Sequence, residues 1–191
     1  MDWVIVLVVG YLAGSFSSAY FLGKIFLKRD MSREGSGNLG AANSLSTIGP
    51  WFGAMVFVGD FLKGGLVLYW VKSTFINPDL LFIAAIAVVL GHNFSLYLRF
   101  RGGKGLASMI GVLTILNPMV LLIVFVIIVS FFIISRHTGI SAIITAISFP
   151  LVYSLVTGDW LSLAYTTTLS FLVIIKHRPE EFRALKDFFQ N

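Results

Sequence analysis

The sequence predicts an all-α polytopic membrane bundle of about seven transmembrane helices, with the N-terminus outside and the C-terminus cytoplasmic. Three observations lead there. Apolar residues make up 57% of the 191 and charged residues only 12%, which excludes an ordinary soluble domain. Apolar runs long enough to cross a bilayer, which takes about 20 residues, follow one another along the chain. Twelve of the 14 Lys and Arg fall into four short segments between those runs, at 24–33, 99–104, 136 and 176–186. Cationic loops gather on the cytoplasmic side of a membrane.

Trp3 to Gly23 is an uncharged first run. Its basic flank follows rather than precedes it, the reverse of a signal peptide, so it reads as a retained transmembrane helix. Trp51 to Val71 is the second span and carries Asp60 and Lys63; Leu80 to Leu98 is the third. Leu106 to Ser135 is uncharged over about thirty residues, roughly 45 Å of helix, long for one span and short for two. Asn117-Pro118 interrupts it, and proline breaks or kinks a helix. Charge decides the number of crossings. One crossing places Arg136 and the C-terminal cluster outside; two bring every basic cluster inside and leave only Lys72 facing out. Leu106 to Leu116 is then a short fourth helix, and a re-entrant pair would keep the same parity. Gly139 to Val156 and Trp160 to Ile175 complete a single transmembrane domain over 1–191, with no repeat or linker.

The chain has no Cys, which excludes disulfides and thiolate chemistry, and its three His are too scattered to suggest a metal site. No metal or cofactor is expected. The net charge of +5 sits in loops where membrane orientation already explains it, so nucleic acid is not an expected partner. The most specific string runs from Glu34 to Asn43. Gly35, Gly37 and Gly40 permit positive φ and close backbone approach, so exposed amides there can bind an oxyanion, with Ser36 and Asn38 adding side-chain hydrogen bonds. The same string reads equally well as a turn that starts the next helix. Arg101-Gly102-Gly103-Lys104-Gly105 opens the short fourth helix, where free amides and the helix dipole favour a phosphate and Lys104 adds a point charge. Arg99 reads as an interfacial anchor. The string lacks the spacing of a nucleotide P-loop and the Ser or Thr after Lys. Asp60 and Lys63 share one helical face, as either an ion pair ordering the bundle or a functional pair. His92 reads as a packing residue, and His177, between Lys176 and Arg178, as an interfacial, phosphate-binding or proton-moving group.

Taken together, these strings resemble the bacterial acyl-phosphate-dependent glycerol-3-phosphate acyltransferases, small polytopic membrane enzymes with three cytoplasmic motifs. The resemblance rests on Gly35-Ser36-Gly37-Asn38 with Gly40-Ala41 and Asn43, then Asp60-Phe61-Leu62-Lys63-Gly64, Gly91-His92, Gly102-Gly103-Lys104-Gly105, and His177-Arg178 with Arg183, in the family's order. It implies acyl transfer from acyl phosphate to the 1-hydroxyl of glycerol 3-phosphate, giving lysophosphatidic acid. The enzyme is expected in the bacterial inner membrane, with its site on the cytoplasmic side. The implied catalytic residues are His177, Lys104, Ser36 and Asn38. Gly35, Gly37, Gly40, Asn43, Gly102, Gly103, Gly105 and Arg183 are the implied substrate-binding residues, with Asp60, Lys63 and His92 in support. The implied partners are acyl phosphate, glycerol 3-phosphate and the bilayer. An acyl phosphate is already activated, so no covalent Ser intermediate is needed. The His-x-x-x-x-Asp string of other glycerolipid acyltransferases is absent, since Tyr97 and Ala142 stand five residues after His92 and His137. His177 or a substrate phosphate oxygen is the base. Ala42 and Ser46 replace the usual Thr and Arg of the first motif, and Gly139 and Ala142 stand where Ser is usual. Glu180 and Glu181 add negative charge to the last motif. Such departures are expected of a divergent paralogue with altered substrate choice or reduced activity, and Ser46 and Glu180 in particular are expected to weaken the grip on glycerol 3-phosphate. Competing readings are a transporter or channel for an anionic solute, prompted by Asp60, Lys63 and the break at Asn117-Pro118, and a catalytically weakened lipid-binding relative.

Overall fold

The computed structural model describes residues 1–177 together with Phe182 and Lys186. The regular elements among these residues are helical, with α1 (Asp2–Ser15), α2 (Ser18–Leu22), α3 (Ala41–Thr47), α4 (Pro50–Thr74), α5 (Asp79–Asn93), α6 (Leu106–Leu116), α7 (Pro118–Ser135), α8 (Thr138–Thr157) and α9 (Leu163–Ile174). Helices α4, α7 and α8, and α5 with its continuation to Leu98, are long and apolar enough to cross a membrane. The bent pair α1 and α2 makes a fifth candidate, and α6 and α9 are shorter apolar helices. The apolar surface is turned outward. Of the 18 residues of α7 only Val120 is buried, a pattern that suits hydrocarbon and not water.

The chain divides into two compact units, Met1–Leu116 and Asn117–Asn191. In the first, α1 packs on α5 and α4 packs on both α5 and α6. Small residues set these crossings. Gly14 lies against the Val88 carbonyl and Gly91 against the Tyr11 carbonyl, so a side chain at either position would drive α1 from α5. Between helices that cannot gain from expelling water, such backbone contact is a main source of association. In the second unit α8 packs on α7 and on α9. The Asn117 side chain caps α7, accepting from the Met119 and Val120 amides at 3.0 and 3.1 Å. The break read from Asn117-Pro118 is thus a capped helix start with Pro in its first turn.

One expected helix is corrected and another is refined. Trp3 to Gly23 is not one helix: α1 stops at Ser15 and α2 restarts at Ser18, with a bend of 40°. In an unbroken helix the Phe16 carbonyl would accept from the Tyr20 amide. Here the Ser17 hydroxyl takes that amide at 3.3 Å, and the Phe16 carbonyl is released for another donor. The third span does run to Leu98, but its α-helix ends at Asn93. Residues Leu96–Leu98 form a 3₁₀ turn instead, fastened by the Ser95 hydroxyl donating to the Ser15 carbonyl at 2.6 Å.

Candidate active site

The first glycine-rich loop is organised by one side chain. Asn43 is buried at the start of α3. Its Oδ1 accepts from the Ser36 amide at 2.9 Å, the Ser36 hydroxyl at 3.0 Å and the Thr47 hydroxyl at 3.3 Å. Its Nδ2 donates to the Glu34 carbonyl at 3.1 Å and the Asn38 carbonyl at 2.9 Å. The chain wraps round this amide because Gly35 and Gly37 hold positive φ, 55° and 72°. Leu39 anchors the loop in a cluster with Ala19, Met31, Phe52 and Val56. Ser36 is exposed, Asn38 is half-buried, and Gly40 precedes the first turn of α3. Asn43 therefore shapes the loop that presents Ser36 and Asn38. Ala42 and Ser46 lie exposed on α3, where the Ser46 hydroxyl donates to the Asn43 carbonyl at 3.1 Å. Just upstream, the Asp30 carboxyl is held below the usual carboxylate range, first by the Ser32 hydroxyl at 2.7 Å and also by the Ser32 amide, Lys24 and Arg33.

The second loop, residues 99–105, is seated on the end of α5. The Gly103 amide donates to the His92 carbonyl at 3.1 Å. Gly102 lies against the same carbonyl and Gly103 against the His92 ring, and a Cβ at either position would overlap them. Lys104 is half-buried and follows directly, and the Gly105 carbonyl accepts from the Met109 amide at 2.8 Å as α6 begins.

Beneath this loop lies a buried polar knot. Asp60 is wholly buried in α4. Its Oδ1 accepts from Lys63 Nζ at 2.9 Å and from the Ser18 hydroxyl at 2.9 Å. His92 Nδ1 stands 3.7 Å from the same oxygen. Lys63 also donates to the Phe16 carbonyl at 2.7 Å, the group freed by the break between α1 and α2. The broken helix thus supplies an acceptor where a cation would otherwise lie poorly paired in the membrane. Asp60 and Lys63 form the ion pair that their spacing suggests, while Ser18 and Phe16 escaped the sequence reading. The run of Ser15, Ser17 and Ser18 inside an apolar segment was the available signal.

In the second unit, buried His177 at the end of α9 has Nδ1 2.8 Å from the Val173 carbonyl. A carbonyl only accepts, so Nδ1 carries the proton and the lone pair of the neutral ring lies on Nε2. Arg178, Glu180, Glu181 and Arg183 lie outside the described residues.

The model of the glycerol-3-phosphate acyltransferase family matches residues 4–187. This chain belongs to that family. The glycerol-3-phosphate acyltransferase of Staphylococcus haemolyticus is 34% identical over 193 residues, covering 96% of this chain and 94% of the relative. The glycerol-3-phosphate acyltransferase 2 of Moorella thermoacetica is 36% identical over 183 residues, covering 96% and 94%. Two crystal structures of PlsY (YgiH), an integral membrane glycerol 3-phosphate acyltransferase, share the family fold. Its glycerol 3-phosphate form superposes with a TM-score of 0.86 at 32% identity, covering 98% of this chain and 94% of that one. Its lysophosphatidic acid form gives a TM-score of 0.85.

Proposed function

We propose that this protein is a membrane acyltransferase. It transfers a fatty acyl group from acyl phosphate to the 1-hydroxyl of glycerol 3-phosphate, forming lysophosphatidic acid for phospholipid synthesis. The observation that carries the reading is the family match along almost the whole chain, residues 4–187. The chemistry of the loops supports it. Both substrates carry phosphate, and bringing two anions together needs cations and fixed amides, which the loops over 34–43 and 99–105 offer. The hydroxyl oxygen attacks the acyl carbonyl, inorganic phosphate leaves, and the hydroxyl proton must go to a base. His177, with its lone pair on Nε2, suits that role; a substrate phosphate oxygen is the other acceptor. An apolar groove of about 520 Å³, lined by Leu22, Phe26, Trp51, Met55 and Val58, suits the acyl tail of the donor.

The proposed setting is the bacterial inner membrane, with seven crossings in one transmembrane domain and the basic loops on the cytoplasmic side. In the same reading, Ser46 and Glu180 weaken the hold on glycerol 3-phosphate, because the first motif lacks an Arg and the last motif gains a carboxylate, and the substrate is an anion. The transport reading loses its support, since the chain belongs to a family of glycerol-3-phosphate acyltransferases. The test is formation of labelled lysophosphatidic acid by the purified protein in detergent from acyl phosphate and labelled glycerol 3-phosphate. Failure of the well-folded protein to form it would overturn the reading.

A further inference from the structure

An isolated ion pair between Asp60 and Lys63 needs no third partner from α5, yet His92 is brought to the same carboxylate oxygen at 3.7 Å. The ring is a strut. Its Nδ1 faces Asp60, and its Nε2 and Cε1 lie under Gly103. The main chain of His92 grips the same loop, because its carbonyl accepts from the Gly103 amide at 3.1 Å and lies against Gly102. Only a glycine at 103 lets the backbone rest on the imidazole. The next residue is Lys104. Asp60 in turn is fixed by Ser18 from α2 and by Lys63, itself tied to the Phe16 carbonyl.

We infer that His92, braced by Asp60, is a positioning residue for Lys104. It sets the backbone of Gly102-Gly103-Lys104, and so the direction in which the Lys104 ammonium and the loop amides meet a phosphate. This rests on the reading of the 99–105 loop as phosphate-binding. A tilt of the ring moves the loop as a body, and a displacement of about 1 Å in a positioning group can lower a rate by a hundredfold. A residue that served the fold alone would affect stability without regard to Lys104.

The experiment is a kinetic double-mutant cycle on the full-length protein in detergent, with acyl phosphate and labelled glycerol 3-phosphate. His92→Gln is expected to lower kcat/KM by about tenfold and Lys104→Ala by at least as much. The double mutant should be no worse than Lys104→Ala alone, within about twofold, because a misplaced loop without its lysine has little more to lose. Thermal unfolding should show the same His92→Gln loss in both backgrounds. Kinetic losses that multiply would overturn the positioning role. Wild-type kinetics in Lys104→Ala would instead remove the phosphate-binding reading on which it rests. Should His92→Gln not fold, Gly103→Ala replaces it, since its added methyl meets the His92 ring from the loop side. Its loss of about tenfold or more should likewise vanish in the Lys104→Ala background; a persistent loss would refute the inference.

Discussion

The loop over 34–43 is tied by a side chain from within itself, whereas the loop over 99–105 rests on a knot drawn from three helices distant in sequence. Asn43 reaches Glu34, Ser36 and Asn38, none more than nine residues away. His92 carries the other loop, and its brace is Asp60, held in turn by Ser18 and Lys63. The first loop draws its side-chain hydrogen bonds from residues 34–47 alone, although Leu39 seats it against α2 and α4. The second takes its shape only when α2, α4 and α5 have assembled. Damage to the first should therefore stay local, while damage to the second should begin in the bundle.

The largest expected effect comes from breaking the knot. Asp60→Ala leaves Lys63 buried without its carboxylate and should lower stability by about 3–5 kcal/mol. Removing both charges should destabilise by less than the sum of the two single losses, measured by thermal unfolding in detergent. Hydrogen exchange should rise in 99–105 and stay unchanged in 34–43. Additive losses, or equal loosening of both loops, would break the distinction between them.

Next in size is Lys104→Ala, which leaves the knot intact. A charge-assisted contact to phosphate contributes about 1.5–3 kcal/mol, so activity should fall by roughly tenfold to a hundredfold. Thermal stability should fall by less than for Asp60→Ala, because Lys104 is half-buried on the loop whereas Asp60 is wholly buried in α4. A large stability loss would place Lys104 in the fold rather than the site.

Asn43→Ala tests the local loop. It removes an amide that serves five hydrogen bonds, and the partners left behind should cost about 1–3 kcal/mol, less where water replaces them. Exchange should rise in 34–43 alone.

These regions also show what a sequence can disclose. The Asn117-Pro118 break was legible because both causes are local: proline lacks a donor and Asn caps the helix that follows. The pairing of Asp60 with Lys63 was legible because three residues on a helix put both on one face. The break after Ser15 was not, since no proline marks it and its Phe16 carbonyl serves Lys63, 47 residues on. The role of His92 was hidden for the same reason. Nothing beside it in the chain reveals that Asp60 lies at one edge of its ring and Gly103 at another.

The smallest expected effect lies outside the membrane, at Asp30. Its folded carboxyl titrates below the ordinary value of 3.8, first through the Ser32 hydroxyl. A depressed carboxylate stabilises the fold above its unfolded pKa and loses that contribution as pH falls through the folded value. The small stability advantage of wild type over Asp30→Asn should be full at neutral pH and fade below about 3.8 in melts across pH. An advantage that persists at lower pH would show that the carboxylate is not its source.

The most direct measurement follows product and leaving group together. Purified protein given acyl phosphate and labelled glycerol 3-phosphate should form lysophosphatidic acid and release inorganic phosphate one for one, and should form none when acyl-CoA replaces the donor. Lysophosphatidic acid made equally well from acyl-CoA, or phosphate released with no acylated product, would contradict acyl transfer from acyl phosphate.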